Sequence, residues 1–539
     1  MTPTLRRVIR QSRSVAPLLL FAGLFVYPII RLLLLPWFPA LGPTQTTGIT
    51  SASGLGLLPI TNTLRLGLAS TLVAVPLGVW FGWMLERRRW RGNILLAAVL
   101  WVVFLTPSYL LTTGWQIVFS LPALHHSQLA DLFFSQLGII ALLGLKGLPF
   151  ATLAARSSWT AIGAELEDAA RILGLSIWRR RNVLLRLLLP AAGSAFAVVF
   201  VESIQEFGIP ATLGAQLHLP IVTYAIYERL ATAPVQFAAA ARLSWVLVGL
   251  AALAALVHMY LGKHHNGVLV HGRTRQAVPT TCSPREGRVA SAGLTLLAVL
   301  GLLLPGIALV HAAIWPVTVD VARPVQWDSL LYSTLYAGLG ALLAVAAAMP
   351  IVAMSQRSHG RGVGRLLEAI SLGNMAIPGL VLGAAYVIAF NDRWLPLYGS
   401  PLLLIIAYMA AQVPMLMRFL QGPLGQLHAN LSDAARLHGL PWASRALDIH
   451  APLLLSPFLW GWTMAFGQIF FELPISELLY PAGRPPVGVD LVTLNQQLRY
   501  GEEARLALAG IGLALLIAVL LTLLLRLAMP TSQIEERTA

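Results

Sequence analysis

Long apolar runs alternate with short polar, arginine-rich stretches along all 539 residues of this chain. Roughly 20 apolar residues suffice to cross a bilayer as a helix. On that measure the pattern predicts twelve spans, centred near Phe25, Val73, Val102, Leu142, Val198, Leu250, Leu300, Leu343, Leu382, Ile405, Trp460 and Leu516. Pro and Gly interrupt several of these runs, which membrane helices tolerate better than soluble ones. The polar stretches set an orientation through the excess of Arg and Lys on the cytoplasmic side of membrane proteins. Arg6, Arg7, Arg10 and Arg13 precede the first run, and Arg87, Arg88, Arg89 and Arg91 follow the second. The 156–186 loop, the 263–288 stretch and the loop with Arg357, Arg361 and Arg365 are likewise basic, whereas 37–59 and 121–136 hold neither Arg nor Lys. Both termini are therefore expected in the cytoplasm. The first apolar run is long for a cleavable signal and reads as an uncleaved anchor.

The polar stretch 263–288 divides the chain into a first half, residues 1–262, and a second, residues 289–539. The halves repeat one plan. Thr63, Leu64 and Gly67 recur as Thr334, Leu335 and Gly338; Pro107 and Phe119 recur as Pro378 and Phe390; Pro149 corresponds to Pro414. Six spans per half give both copies the same direction through the membrane, a parallel repeat about an axis along the membrane normal. The expected fold is an all-α membrane protein of about twelve transmembrane helices in two parallel six-helix repeats.

Composition narrows the function. Hydrophobic residues make up 57% and charged residues 11%, against about 25% charged in soluble domains. The net charge of +15 lies in the loops beside the spans, so it speaks for membrane orientation and not for nucleic acid. The single cysteine, Cys282, excludes an intrachain disulfide or a cysteine metal cluster. His125-His126 and His264-His265 are adjacent pairs in polar loops without metal-ligand spacing, and no metal site is expected. No nucleophile–base pair marks a catalytic site. No Gly-x-x-x-x-Gly-Lys-Ser/Thr occurs, so ATP would have to be hydrolysed elsewhere.

The strongest motif is also repeated. In the loop 165–190, Glu167, Asp168, Ala169 and Ala170 are followed by Gly174; in the loop 431–452, Asp433, Ala434 and Ala435 are followed by Gly439. Acidic-Ala-Ala-x-x-x-Gly describes a short helix with a carboxylate at its positive end, two small residues that allow close approach, and a glycine that lets the chain turn. These loops resemble the EAA loops of ABC-importer permeases, and the resemblance extends over almost the whole chain as a fused pair of permease halves with a type I importer-like fold. It implies that the loops are coupling helices seated on two copies of a cytoplasmic ABC ATPase, which carries the ATP and Mg. It also implies an external solute-binding protein and a bacterial inner membrane. The first loop runs three residues longer from its glycine to Pro190 than the second does to Pro452. Downstream, Glu206-Phe-Gly-Ile-Pro210 and Glu472-Leu-Pro474-Ile-Ser476-Glu477 resemble segments of the ferric-iron, thiamine and polyamine permeases, the latter leaning towards ferric iron.

Charges inside the apolar runs are costly and so are functional candidates. Lys146, Glu202, Glu206, Glu472 and Glu477 are the candidate translocation-path residues, with a Lys146–glutamate pair as the alternative use of the lysine; Ala411 stands at its place in the second half. The competing function is an ion-coupled secondary transporter, which would need no ATPase and would give the two loops no reason to recur.

Overall fold

The computed structural model describes residues 22–38, 41–42, 56–161, 172–174, 176–266, 279–315, 327–357, 366, 373, 377–392, 395–425, 435, 437–441, 444, 448–449 and 451–528. The first half contains α1 (Tyr27–Leu34), α2 (Leu57–Arg87), α3 (Asn93–Leu105), α4 (Ser108–Ser120), α5 (Gln136–Ala161), α6 (Ile177–Gln205), α7 (Val222–Ala231) and α8 (Phe237–Asn266). The second contains α9 (Pro284–Ala298), α10 (Leu304–Ile314), α11 (Asp328–Arg357), α12 (Gly379–Phe390), α13 (Pro401–Gly425), α14 (Ala451–Phe470), α15 (Ser476–Leu479), α16 (Val487–Gln496) and α17 (Tyr500–Ala528). Among the described residues eight helices are long and apolar enough to cross a bilayer, and α3 with α4, bent by 98°, brings the number to nine if the pair is counted as one span. Shorter apolar helices at Gly23–Leu34, Ala192–Gln205 and Gly379–Phe390 lie at the three remaining predicted centres.

The peripheral helices sort their side chains between core and surroundings. In α17, Ala504, Leu506 and Ala507 are buried while Leu516, Leu520, Leu523 and Leu524 are exposed. Such an apolar exterior would drive aggregation in water, and in lipid it is the required surface. Inside, the closest packing depends on small residues. On α2, a Cβ at Gly78 would lie 2.3 Å from Ala151 Cβ, and one at Gly82 would lie 3.0 Å from Ala155 Cβ. Two glycines four residues apart thus face two alanines four residues apart on α5, and the backbones meet as small-xxx-small pairs allow.

The repeat is visible in packing and in caps. In the first half α2 packs on α5 and α6, and in the second α11 packs on α13 and α14. Thr63 Oγ1 accepts a 2.9 Å hydrogen bond from Val222 N, the first residue of α7. In the second half the neighbouring position serves: Ser333, the residue before the Thr334 that matches Thr63, accepts a 2.7 Å bond at Oγ from Val487 N, the first residue of α16. The halves also exchange their first helices: α1 packs on α12, and α10 packs on α4. A polar clamp holds the first exchange. Arg31 Nη2 lies 2.8 Å from Asp392 Oδ2, and Arg31 Nη1 donates to Ala389 O.

At the loop end of α2, Arg88–Arg89 pair as a short parallel ribbon with Thr280–Thr281. Arg88 bonds Glu286 at 3.1 Å and lies over the Trp83 ring. Glu286 also completes a capping box with Ser283 at the start of α9. α8 continues to Asn266 and α9 begins at Pro284, so helix extends into both ends of the stretch read as a linker.

Candidate translocation chamber and coupling loops

Four chain breaks converge between the halves. The bend between α3 and α4 brings Pro107, Ser108 and Tyr109 to a cavity of about 260 Å³, and the end of α6 supplies Glu202, Gln205, Glu206, Phe207 and Gly208. From the second half come Gly379, at the start of α12, and Phe471 to Pro474, after α14. Broken helices leave backbone groups without intrahelical partners, and such backbone is tolerated at membrane depth only where it lines a cavity or is buried in protein.

The two family-type glutamates hold these breaks open. Glu206 Oε1 accepts from Ser108 Oγ at 2.5 Å and from Gly208 N at 2.8 Å. Glu472 Oε1 accepts from Ile475 N at 2.8 Å, and its Oε2 accepts from Ser476 N at 3.0 Å and Ser476 Oγ at 2.6 Å. Tyr109 joins the two sides by donating to Phe471 O. Glu202, one turn before Glu206 on α6, is solvent-accessible and lines the cavity. Glu477 is on α15, just beyond the break.

Lys146 has another use. Its ammonium donates to Val103 O at 3.0 Å, Phe104 O at 3.1 Å and Thr106 O at 2.7 Å. These carbonyls end α3, where the last turn of any helix has no intrahelical donors and carries partial negative charge. No ion pair joins Lys146 to a carboxylate among the described residues, and the lysine is not among the side chains lining the chamber. The lysine–glutamate pair weighed from the sequence is therefore replaced by a cap on the broken span.

Of the coupling-loop residues, Glu167, Asp168, Ala169, Ala170, Asp433 and Ala434 lie outside the described residues. The turns that follow are described. Gly174 has φ +66° and Gly439 φ +71°, a left-handed conformation that glycine adopts without steric cost. Leu440 N donates to Ala435 O at 3.1 Å, closing the six-residue ring of a Schellman C-cap with Gly439 at C′. Ala435 is buried.

Sequence reasoning missed the polar ties between the halves. Asn495 Nδ2 donates to Thr113 Oγ1 at 2.9 Å and Gln116 Oε1 at 2.8 Å, while Thr113 Oγ1 donates to Glu503 Oε1 at 2.5 Å. All four side chains are buried. Glu503 in the first turn of the last apolar helix, and Arg31 within the first, were the available signals.

This arrangement, two repeated helical halves around a chamber at their broken spans, defines a membrane permease. The chain belongs to the family of binding-protein-dependent transport system inner membrane components, whose model matches residues 74–261 and again 340–531. The two matches give the fold its type: a fused pair of halves of the type I ABC importer kind.

Among individual proteins, the chain is similar to the ferric transport system permease protein FbpB of Actinobacillus pleuropneumoniae, 23% identical over 457 residues, covering 78% of this chain and 64% of that protein. It is 25% identical to the Fe(3+)-transport system permease protein FbpB 2 of Haemophilus influenzae, covering 82% of this chain and 85% of the relative. A shorter match, 27% identical, covers 37% of this chain and 90% of the molybdenum transport system permease protein ModB of Escherichia coli. The chain thus spans just under two-thirds of the Actinobacillus protein's length and most of the Haemophilus one.

Proposed function

We propose that this chain is the translocation subunit of an ATP-driven importer for ferric iron or a similar small solute. The solute passes between the halves through the chamber formed at the broken spans. An external solute-binding protein delivers it, and two copies of a cytoplasmic ABC ATPase, which hold ATP and Mg, dock on the loops 165–190 and 431–452. Both termini and the 263–288 stretch lie in the cytoplasm of a bacterial cell, with the chain in its inner membrane.

The observation that carries this reading is the convergence of four chain breaks on one chamber between two repeated halves. Two similarities to ferric permeases support iron over an oxyanion, as does the lining: among the described residues it contains Glu202, Glu206 and Glu472 and no Lys or Arg. Acidic walls concentrate cations and repel anions. A left-handed glycine follows each acidic-Ala-Ala motif, and such a turn after a short helix is consistent with the coupling role.

The test is reconstituted uptake of ferric iron and ATPase activity, with and without loaded binding protein. An Ala435→Trp, Gly439→Val double variant should insert normally but lose stimulation, because a β-branched side chain at φ +71° is strained by roughly 1–2 kcal/mol and Trp enlarges the buried Ala435 site. Normal stimulation and uptake in that variant would sink the coupling assignment. Uptake driven by an ion gradient without any ATPase would instead favour the secondary transporter. Orientation is checked separately with an impermeant thiol reagent on intact cells. Cys282 should stay unlabelled from outside and react only after permeabilisation. Desolvation, with Glu286 adding to it, raises its thiol pKa against the opposing effect of Arg88, so the labelling belongs at alkaline pH.

A further inference from the structure

The halves meet along two seams related by the repeat. In one, α12 of the second half packs on α7 and α8 of the first; in the other, α4 of the first half packs on α17 of the second and bonds to α16. Thr113 and Gln116 on α4 stand where α12 has Ala384 and Val387, at the offset that relates Pro107 to Pro378. Asn495 follows Val487, the start of α16, at the distance at which Leu230 follows Val222, the start of α7. Ala241-Arg242-Leu243 on α8 recurs as Ala504-Arg505-Leu506 on α17, so Glu503 stands where α8 has Ala240. All of these paired side chains are buried. One seam is thus closed by Ala384, Val387, Leu230 and Ala240, and the other by Thr113, Gln116, Asn495 and Glu503 at the same places.

Packing alone does not account for the polar set, because an apolar set fills the equivalent seam. Replacing all partners of a buried hydrogen-bond network by apolar groups of similar shape is nearly neutral or stabilising. The polar bonds are also short of donors. The Thr113 hydroxyl carries a single hydrogen, yet Tyr109 O at 2.9 Å and Glu503 Oε1 at 2.5 Å both stand within its reach. The Asn495 amide group faces three acceptors, Thr113 Oγ1, Gln116 Oε1 and, at 3.2 Å, Glu503 Oε2, with one hydrogen too few. Entering water would supply what is missing, and the rim is accessible. Gln116 Nε2 donates to Gln216 at 2.9 Å, Gln496 donates to Ala211 O across the same seam, and both Gln216 and Gln496 are exposed. Opening an apolar seam exposes surface whose burial is the main force for closure, whereas a polar seam exchanges its hydrogen bonds for those of water at little net cost.

We propose that the seam of Thr113, Gln116, Asn495 and Glu503 is the one that parts to admit solute from outside, while the apolar seam of α12 with α7 and α8 stays shut and serves as the pivot. Its position suits this use. α4 leads from the chamber at Tyr109 through Thr113 and Gln116 towards the 121–136 loop, which holds neither Arg nor Lys and is external in the orientation proposed above. The strap over each seam differs in the same sense. Arg31 fixes α1 to the end of α12 through Ala389 O and Asp392, and Trp245 on α8 donates to Leu33 O of α1 at 2.7 Å. α1 therefore ties α12 to α8 across the pivot. Over the parting seam, α10 has Ala308 at the place of Arg31, counted from Pro305 and Pro28, and alanine cannot make such a clamp. The inference rests on the importer reading and adds to it which seam opens.

The experiment uses the transporter assembled with its ATPase and loaded binding protein in lipid nanodiscs, in a Cys282→Ser background, and compares Thr113→Cys with Ala384→Cys. A small water-soluble thiol reagent should modify Thr113→Cys at least about tenfold faster during ATP turnover than at rest, the change expected when a state populated at roughly 10% or less becomes the major one. Ala384→Cys should stay unmodified in both conditions. A second measurement gives the polar seam the residues of its counterpart. Thr113→Ala, Gln116→Val, Asn495→Leu and Glu503→Ala together should melt no lower than the wild type yet lose uptake. Equal labelling of the two cysteines, an unlabelled Thr113→Cys in a transporter that is taking up solute, or normal uptake by the four-residue variant overturns the assignment of the seams. Should the four-residue variant fail to fold, the pair of cysteines decides. A wild type that takes up nothing under ATP removes the importer reading itself.

Discussion

Glu206 and Glu472 stand at equivalent breaks in the two halves, one turn beyond Glu202 and Gln468 respectively. The second-half carboxylate is occupied on both oxygens: Oε1 by one N–H, and Oε2 by an N–H and a hydroxyl that begin α15. The first-half carboxylate receives both its bonds on Oε1, leaving Oε2 without a donor among the described residues. The reason lies in one residue. Ser476 supplies its N–H in the second half, whereas the first half has Pro210 there, and proline has no N–H to give. One copy of the repeat has therefore put its glutamate wholly to holding the backbone, while the other keeps an oxygen available beside the accessible Glu202. A duplicated fold can divide scaffold from chemistry in this way because each half braces the other.

The largest effect should come from removing the better-held glutamate. Glu472→Ala leaves the Ile475 and Ser476 N–H groups unmet, at roughly 1–3 kcal/mol for each buried donor. Glu206→Ala exposes only the Gly208 N–H and the Ser108 hydroxyl. In detergent, Glu472→Ala should melt further below the wild type than Glu206→Ala, and Glu206→Ala should lose more uptake per folded molecule. Equal destabilisation by the two changes would erase the proposed division.

Much of the frame was legible because it depends on local sequence. All twelve predicted span centres fall on apolar helices or on the bent α3–α4 pair, since length and hydropathy alone decide whether a helix suits lipid. Both loop glycines adopt the left-handed turn their position after a short helix suggested. What escaped was set by pairing across the halves. Arg31 meets Asp392 from 361 residues away, and Thr113 meets Glu503 from 390; no periodicity within one half encodes such contacts. The contacts of Lys146 were hidden for a related reason. An intramembrane lysine suggests a carboxylate partner, but the nearest acceptors were the carbonyls freed where α3 ends, and that end is made by a bend at Pro107 whose angle the sequence does not give.

Lys146 extends the comparison to the preceding break, since Ala411 occupies its place in the second half. Lys146→Met keeps the apolar stem and removes three hydrogen bonds to carbonyls. A loss of about 1–3 kcal/mol in stability is expected, from the desolvated acceptors left behind. Uptake normalised to folded protein should change little, because the lysine caps α3 and does not line the chamber. A variant that melts like the wild type but transports poorly would return Lys146 to the path.

The smallest change bears most directly on the contrast between the two glutamates. Pro210→Ser gives the first half the N–H that Ser476 provides in the second, where it lies 3.0 Å from the glutamate Oε2. A hydrogen bond to a charged group contributes about 1.5–3 kcal/mol. Against it stands the lost rigidity of proline, about 0.4–1 kcal/mol through a less restricted unfolded chain. The net gain in stability should thus be small, on the order of 1 kcal/mol, and visible as a slightly higher melting temperature. If the free Glu206 oxygen serves the solute, drawing it onto the backbone should lower ferric uptake while leaving basal ATPase activity intact. A stabilised variant with unchanged uptake would mean that Oε2 is idle, and Glu202 alone would then carry the charge that the first half presents to the chamber.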